Sequence, residues 1–229
     1  MKMEFERRAR RPEWLELLQL VVITARERDA GRGHLDVAIA ALAGGCRAIQ
    51  FRDKEMSDRG FVEVARAVQL RCIEAGALFF VNDRVHVAAG LDCEVHLGVD
   101  DMPVALARKV LGPAAIIGFS PESAAQAREA ADAGADYLGV GPVFGSPSKS
   151  DAGPAIGLDG LEGYCASGIA PVVAVGGIDA ENAPQVAAAG AEGIAVVSAV
   201  SRAADMAGAA RALIASFGAA RRESERRKH

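Results

Sequence analysis

The chain has 229 residues, 51% of them hydrophobic, and a formal net charge of −4. That length supports one large core, an α/β barrel of about 250 residues being an ordinary size, and no apolar run reaches the roughly 18 residues that would span a bilayer. Five Lys or Arg against three Glu before Trp14, and five against two from Ala219 onward, leave the body between near −9; an acidic body argues against nucleic acid, whose phosphates need a basic face.

Residues 1–13 and 219–229 read as flexible basic ends flanking one domain over 14–218. Met1 to Trp14 is charged and lacks the apolar stretch of a secretion signal, so the cytoplasm is expected. Cys46, Cys72, Cys93 and Cys165 lie far apart with no C-x-x-C spacing and read as small core residues in a reducing compartment. His34, His86, His96 and His229 are equally scattered, which argues against zinc.

In chain order, Pro12 to Leu18 reads as a short leading helix before the strand Leu20 to Thr24. A pattern then repeats to the end: a helical stretch closes on glycine, and an apolar run follows within a few residues. The closing glycines are Gly45, Gly76, Gly90, Gly112, Gly134, Gly168 and Gly190. The runs after them are Ala48 to Arg52, Leu78 to Asn82, Val95 to Gly98, Ala115 to Gly118, Tyr137 to Val140, Val172 to Val175 and Ile194 to Val197. Between them, Phe61, Val64, Ala65, Val68 and Cys72 form one helical stripe after a Ser57 cap. Pro121 to Ala131 and Glu181 to Ala189 are Ala-rich helices. The strands are near-continuous apolar runs rather than alternating ones, as strands covered on both faces should be. Eight such units predict a single (β/α)8 TIM barrel with a short leading helix. An open doubly wound sheet is the runner-up, but Thr24 is followed by Ala25-Arg26-Glu27-Arg28 and not by a glycine fingerprint.

A barrel places its active site at the C-terminal ends of its strands. There the sequence offers Gln50-Phe51-Arg52-Asp53-Lys54, Asn82-Asp83-Arg84, Gly98-Val99-Asp100-Asp101, Gly118-Phe119-Ser120, Gly176-Gly177-Ile178 and Val197-Ser198. After Val140 comes Gly141 to Gly153, a Gly- and Pro-rich segment whose backbone N–H groups, three serine hydroxyls and Lys149 suit an anion. Local roles compete: Asp83, Asp101 and Ser120 all suit helix N-caps, Gly176-Gly177 a tight turn, and Arg52 and Lys54 solvated rim charges. Such roles do not explain why Arg52, Lys54 and Lys149 gather with two aspartates at one mouth. The combination suits a diphosphate with Mg²⁺, Asp83 and Asp101 supplying hard oxygen ligands while the three cations neutralise a departing pyrophosphate. The ends of strands 7 and 8 then form a second phosphate site, which predicts two phosphorylated small-molecule substrates.

Gln50 to Lys54, Val81-Asn-Asp83, Ala135 to Pro142, Val175 to Ile178 and Val197-Ser198 resemble thiamine phosphate synthase, in order and over nearly the whole chain. That family joins a pyrimidine methyl diphosphate to a thiazole phosphate, giving thiamine monophosphate and pyrophosphate. The resemblance implies that Gln50, Arg52, Lys54, Asn82, Ser120 and Lys149 hold the pyrimidine diphosphate and that Asp83 and Asp101 bind Mg²⁺. It also implies that Ser146, Pro147, Ser148, Gly177, Val197 and Ser198 hold the thiazole phosphate, in a homodimer. The implied mechanism is dissociative, with no protein nucleophile. The chain departs from the family's pattern with Ser146 and Ser148 for threonines, Val99 for a common Gln, and Glu122 for a frequent His. A thiazole tautomerase on the same barrel depends on that His and tends to lose the Asn-Asp pair, so the synthase reading is preferred. A phosphate-binding-barrel isomerase would share the strand 7 and 8 site, and a phosphate-ligand sensor would bind without turnover.

Overall fold

The structure, a computed structural model, describes residues 13–27, 31–145 and 154–227. Helix α1 (Glu13–Leu17) leads into β1 (Leu20–Ile23), α2 (His34–Ala43), β2 (Ala48–Phe51), α3 (Asp58–Ala75), β3 (Leu78–Asn82), α4 (Val85–Leu91) and β4 (Glu94–Leu97). There follow α5 (Val104–Leu111), β5 (Ile117–Phe119), α6 (Ala124–Asp132), β6 (Tyr137–Val140), α7 (Gly157–Ala166), β7 (Val172–Val175), α8 (Ala183–Ala188), β8 (Gly193–Val196), α9 (Ser198–Ser201) and α10 (Met206–Arg227). The eight strands are parallel and β8 pairs with β1, closing the barrel.

Closure divides the apolar strands between two cores, because successive residues of a strand face opposite sides. Leu20, Val22, Ile49, Phe51, Val81 and Val95 pack outward against the helices. Val21, Ile23, Ala48, Phe80, Tyr137, Val173 and Ala195 fill the barrel. Leu15 from the leading helix and Leu18 from the turn after it complete the inner cluster. Most strands look apolar in sequence since both cores demand apolar groups, but β4, Glu-Val-His-Leu, alternates openly, and Gln50 and Asn82 interrupt β2 and β3 where their inner faces reach the cavity.

The helix ends follow local chemistry. The Ser57 hydroxyl accepts the Gly60 N–H at 3.4 Å, as a cap should. Six of the seven chosen glycines adopt positive φ; the exception is Gly90, which lies inside α4. There Asp92 takes the left-handed position, φ 51°, one that Asp tolerates better than most side chains. Helix α6 starts at Ala124, with the Ser123 hydroxyl accepting the Gln126 N–H, so Ser120 is not its cap. Nor do Asp83 and Asp101 cap their helices, whose N-cap positions are Arg84 and Pro103.

The domain boundary drawn at residue 218 falls inside α10, which continues to Arg227. The Arg221 guanidinium donates to the Glu192 carbonyl at 2.9 Å and pairs with the Glu192, Glu16 and Glu225 carboxylates. Local sequence shows a basic run; only the fold reveals the acidic partners that draw it in.

Candidate active site

A cavity of about 590 Å³ opens at the C-terminal ends of the strands. Gln50, Arg52, Lys54, Asn82, Asp83, Asp101, Ser120, Gly177, Val197 and Ser198 all line it. Ser146, Pro147, Ser148 and Lys149 lie outside the described residues. Ten expected residues thus come from six strand ends to one space. The inward period of two produces this directly: Ala48 and Gln50 face into the barrel, and Arg52 follows on the same side.

The two aspartates face each other. Burial first, and then the hydrogen-bonded Asp101 carboxyl, push the Asp83 carboxyl up to about 6, while Arg52 and Lys54 pull it down. Asp101 is braced where it stands, its Oδ2 accepting the Gly98 N–H at 2.6 Å. Asp83 has φ 65°, and its N–H donates to the His96 carbonyl at 3.0 Å across β4. Two carboxyls held against each other are a ready pair of hard ligands for a small divalent cation. Among the described residues no group of three or more His, Cys, Asp or Glu is set to hold a metal, so a cation here needs substrate oxygens and water to fill its shell.

Sequence reasoning named Asn82 and Ser120 but missed His96 and Tyr137, which complete the floor of the cavity. Asn82, His96, Gly118 and Tyr137 are consecutive register partners across β3 to β6. Because Gly118 lacks a side chain, the Tyr137 hydroxyl crosses it to reach His96 Nδ1 at 2.9 Å. A Cβ at 118 would overlap both the Tyr137 ring and His96 Nδ1. On the other side, His96 Nε2 lies 2.8 Å from Ser120 Oγ. Tyr137 is 1% exposed, and burial pushes its hydroxyl far up, so it keeps its proton. A buried phenol that only accepted would leave that proton unpaired, at a cost of about 1–3 kcal/mol. The Tyr137 O–H therefore donates to Nδ1, the imidazole proton sits on Nε2 and points at Ser120, and the Ser120 proton is left for an acceptor in the cavity. No motif marks His96, and the Ala135 to Pro142 stretch that contains Tyr137 gives no sign of its partner; their distance along the chain hides a contact that barrel register creates.

The far wall is built from backbone. Gly176 and Gly177 have φ 102° and 66°, and a Cβ on Gly177 would stand 2.7 Å from Phe144 Cβ and 2.8 Å from the Gly145 carbonyl oxygen. The segment after β6 is seated on this turn, with the Val143 N–H donating to the Val175 carbonyl at 2.9 Å and the Phe144 N–H to the Gly176 carbonyl at 3.0 Å. The described start of the anion-suited segment is thereby fixed against Gly176 and Gly177.

A closed (β/α)8 barrel whose strand-end cavity joins facing carboxylates, Arg52, Lys54 and a glycine wall defines a barrel enzyme that handles anionic substrates. The sequence profile described as thiamine monophosphate synthase (TMP-TENI) matches residues 20–200. A thiamine-phosphate synthase of Moorella thermoacetica is 46% identical over 203 residues, covering 88% of this chain and 95% of the relative. One of Methanoculleus marisnigri is 46% identical, covering 89% and 97%. A solved thiamine phosphate pyrophosphorylase of Pyrococcus furiosus superposes with a TM-score of 0.81 at 39% identity, over 90% of this chain and 98% of that one. The chain belongs to the thiamine monophosphate synthase family.

Proposed function

We propose that this family member condenses a pyrimidine methyl diphosphate with a thiazole phosphate, releasing pyrophosphate. The activity, thiamine monophosphate synthesis by a transferase, is that of its family. What carries the residue-level reading is the convergence on one cavity of Arg52 and Lys54 with the facing Asp83 and Asp101. Arg52, Lys54 and Lys149 neutralise the charge that accumulates on the leaving diphosphate, and Gln50, Asn82 and Ser120 hold the pyrimidine diphosphate. Ser146, Pro147, Ser148, Gly177, Val197 and Ser198 hold the thiazole phosphate.

Asp83 and Asp101 hold Mg²⁺, which supplies Lewis-acid neutralisation of diphosphate oxygens when bound. The pyrimidine amino group feeds electrons toward its methylene as pyrophosphate departs, and the thiazole nitrogen captures the resulting cation. No side chain forms a covalent bond in this scheme. The protein contributes alignment of the two substrates and fixed charges where the leaving group develops its own. Ser120, with its proton directed outward by His96, presents a donor to the ring of the pyrimidine.

The test is to mix both substrates with Mg²⁺ and follow pyrophosphate and thiamine monophosphate together. Equal amounts of both products are expected. Thiazole isomerisation without pyrophosphate, or binding without turnover, would replace this reading with that of a tautomerase or a sensor.

A further inference from the structure

Arg52 and Lys54 line the cavity, and the residue between them turns away from it. The Asp53 side chain is only 4% exposed, and both carboxylate oxygens are occupied. Its Oδ1 accepts the N–H groups of Glu55 and Met56, each at 2.9 Å. Its Oδ2 meets Arg26 at 2.8 Å and His34 Nε2 at 3.0 Å.

His34, the first residue of α2, is itself buried, and its Nδ1 lies 2.9 Å from Thr24 Oγ1. Burial holds the imidazole below its usual range although the Asp53 carboxylate raises it, so one ring proton remains. A carboxylate only accepts, which puts that proton on Nε2 and makes Thr24 the donor to Nδ1. Burial opposes ionisation of Asp53 too, but the His34 bond, the two N–H groups and Arg26 hold its carboxyl below the ordinary range.

A second set of bonds comes from the opposite side. Arg84, next to Asp83 in the chain, donates to the Asp53 carbonyl at 3.3 Å, the Met56 carbonyl at 2.6 Å and the Asp58 carboxylate at 2.7 Å. Its guanidinium carbon stands 4.2 Å from the centroid of the Phe61 ring. The turn after β2 is therefore gripped by Arg26 from the segment after β1, by His34 at the start of α2 and by Arg84 at the N-cap of α4. A surface turn has no need of a buried carboxylate, whose desolvation costs several kcal/mol unless fully compensated. Here the compensation is complete, and its product is a rigid segment with a cation on each side of the anchor.

We propose that Asp53 is a positioning residue: clamped by His34 and Arg84, it sets Arg52 and Lys54 for a magnesium-bound diphosphate. The inference deepens the reaction proposed above and rests on that reading of the cavity. Cations fixed in advance need no reorganisation when the leaving group develops charge, and small misplacements of such groups cost large factors in rate.

Asp53→Asn keeps the shape and the two N–H bonds but turns an amide donor toward Arg26 and His34. Titration calorimetry of the whole protein with pyrophosphate and Mg²⁺ should show affinity about tenfold lower or worse, with kcat reduced in parallel and the KM for the thiazole phosphate near the wild-type value. His34→Gln, which retains an N–H donor, should restore most of the affinity that His34→Leu loses. If Asp53→Asn does not fold, Arg26→Met and His34→Leu carry the same measurement. Folded variants that bind magnesium pyrophosphate as the wild type does would overturn the proposal, as would a wild type that does not bind it. A wild type that binds magnesium pyrophosphate yet does not join the two substrates would sink only the reaction, and the comparison of variants would still decide the role of Asp53.

Discussion

Asp83→Asn should damage the enzyme and stabilise its metal-free fold. The carboxyl is raised from 3.8 to about 6, mainly by burial and then by Asp101. Such a rise corresponds to roughly 3 kcal/mol of disfavour toward the ionised form, and partial exposure at the rim reduces it to about half that figure. A carboxyl raised on folding binds more protons folded than unfolded between those two values, so stability falls as pH climbs through that window and stays reduced above it. Asparagine removes the charge, and at φ 65° it suits the backbone as well as aspartate does; alanine would add strain of its own. For a chain of this size, each 1 kcal/mol shifts the melting point by about 2–4 °C. The variant should therefore melt about 3–6 °C higher than the wild type in EDTA at pH 8, and the gain should vanish as pH falls toward 4. Turnover, read as pyrophosphate release, should fall by about 100-fold or more with loss of a metal carboxylate. A variant that melts below the wild type at pH 8, or whose gain is independent of pH, refutes the picture of two carboxyls held in opposition.

Two further outcomes probe other walls of the cavity. Tyr137→Phe frees His96 Nδ1 to carry the imidazole proton, so the polarity at Ser120 is no longer imposed. It should raise the KM for the pyrimidine diphosphate and destabilise the fold by about 1–3 kcal/mol; the nitrogen-15 shifts of His96 should report mixed tautomers, and a single unchanged tautomer would contradict the chain of donors. Lys149→Ala should lower turnover and Ser148→Ala should chiefly raise the KM for the thiazole phosphate; with both rates and affinities unchanged, the anion-binding role of that segment is lost.

Much of this site is legible in the primary structure, for a definite reason. Gln50-Phe51-Arg52, Asn82-Asp83 and Gly176-Gly177 stand where apolar runs stop, and a parallel barrel brings every such stop to one mouth. Recognising eight runs was enough to bring Arg52, Asp83, Asp101 and Ser198 together before any distance was known. Local capping signals were less dependable. Ser120-Pro121-Glu122 has a cap's composition, yet register turns its hydroxyl to His96 and Ser123 caps the helix.

What the order of residues determined by itself is the barrel, its working end and the polar groups there, because these follow from local periodicity repeated eight times. What tertiary structure alone decided is which polar groups meet. Tyr137 reaches His96 across Gly118, Asp53 turns back to His34 and Arg26, and Arg221 is drawn to Glu192 and Glu16. Such pairs depend on closure and strand register, which set distances between residues remote in the chain and leave no local trace in either.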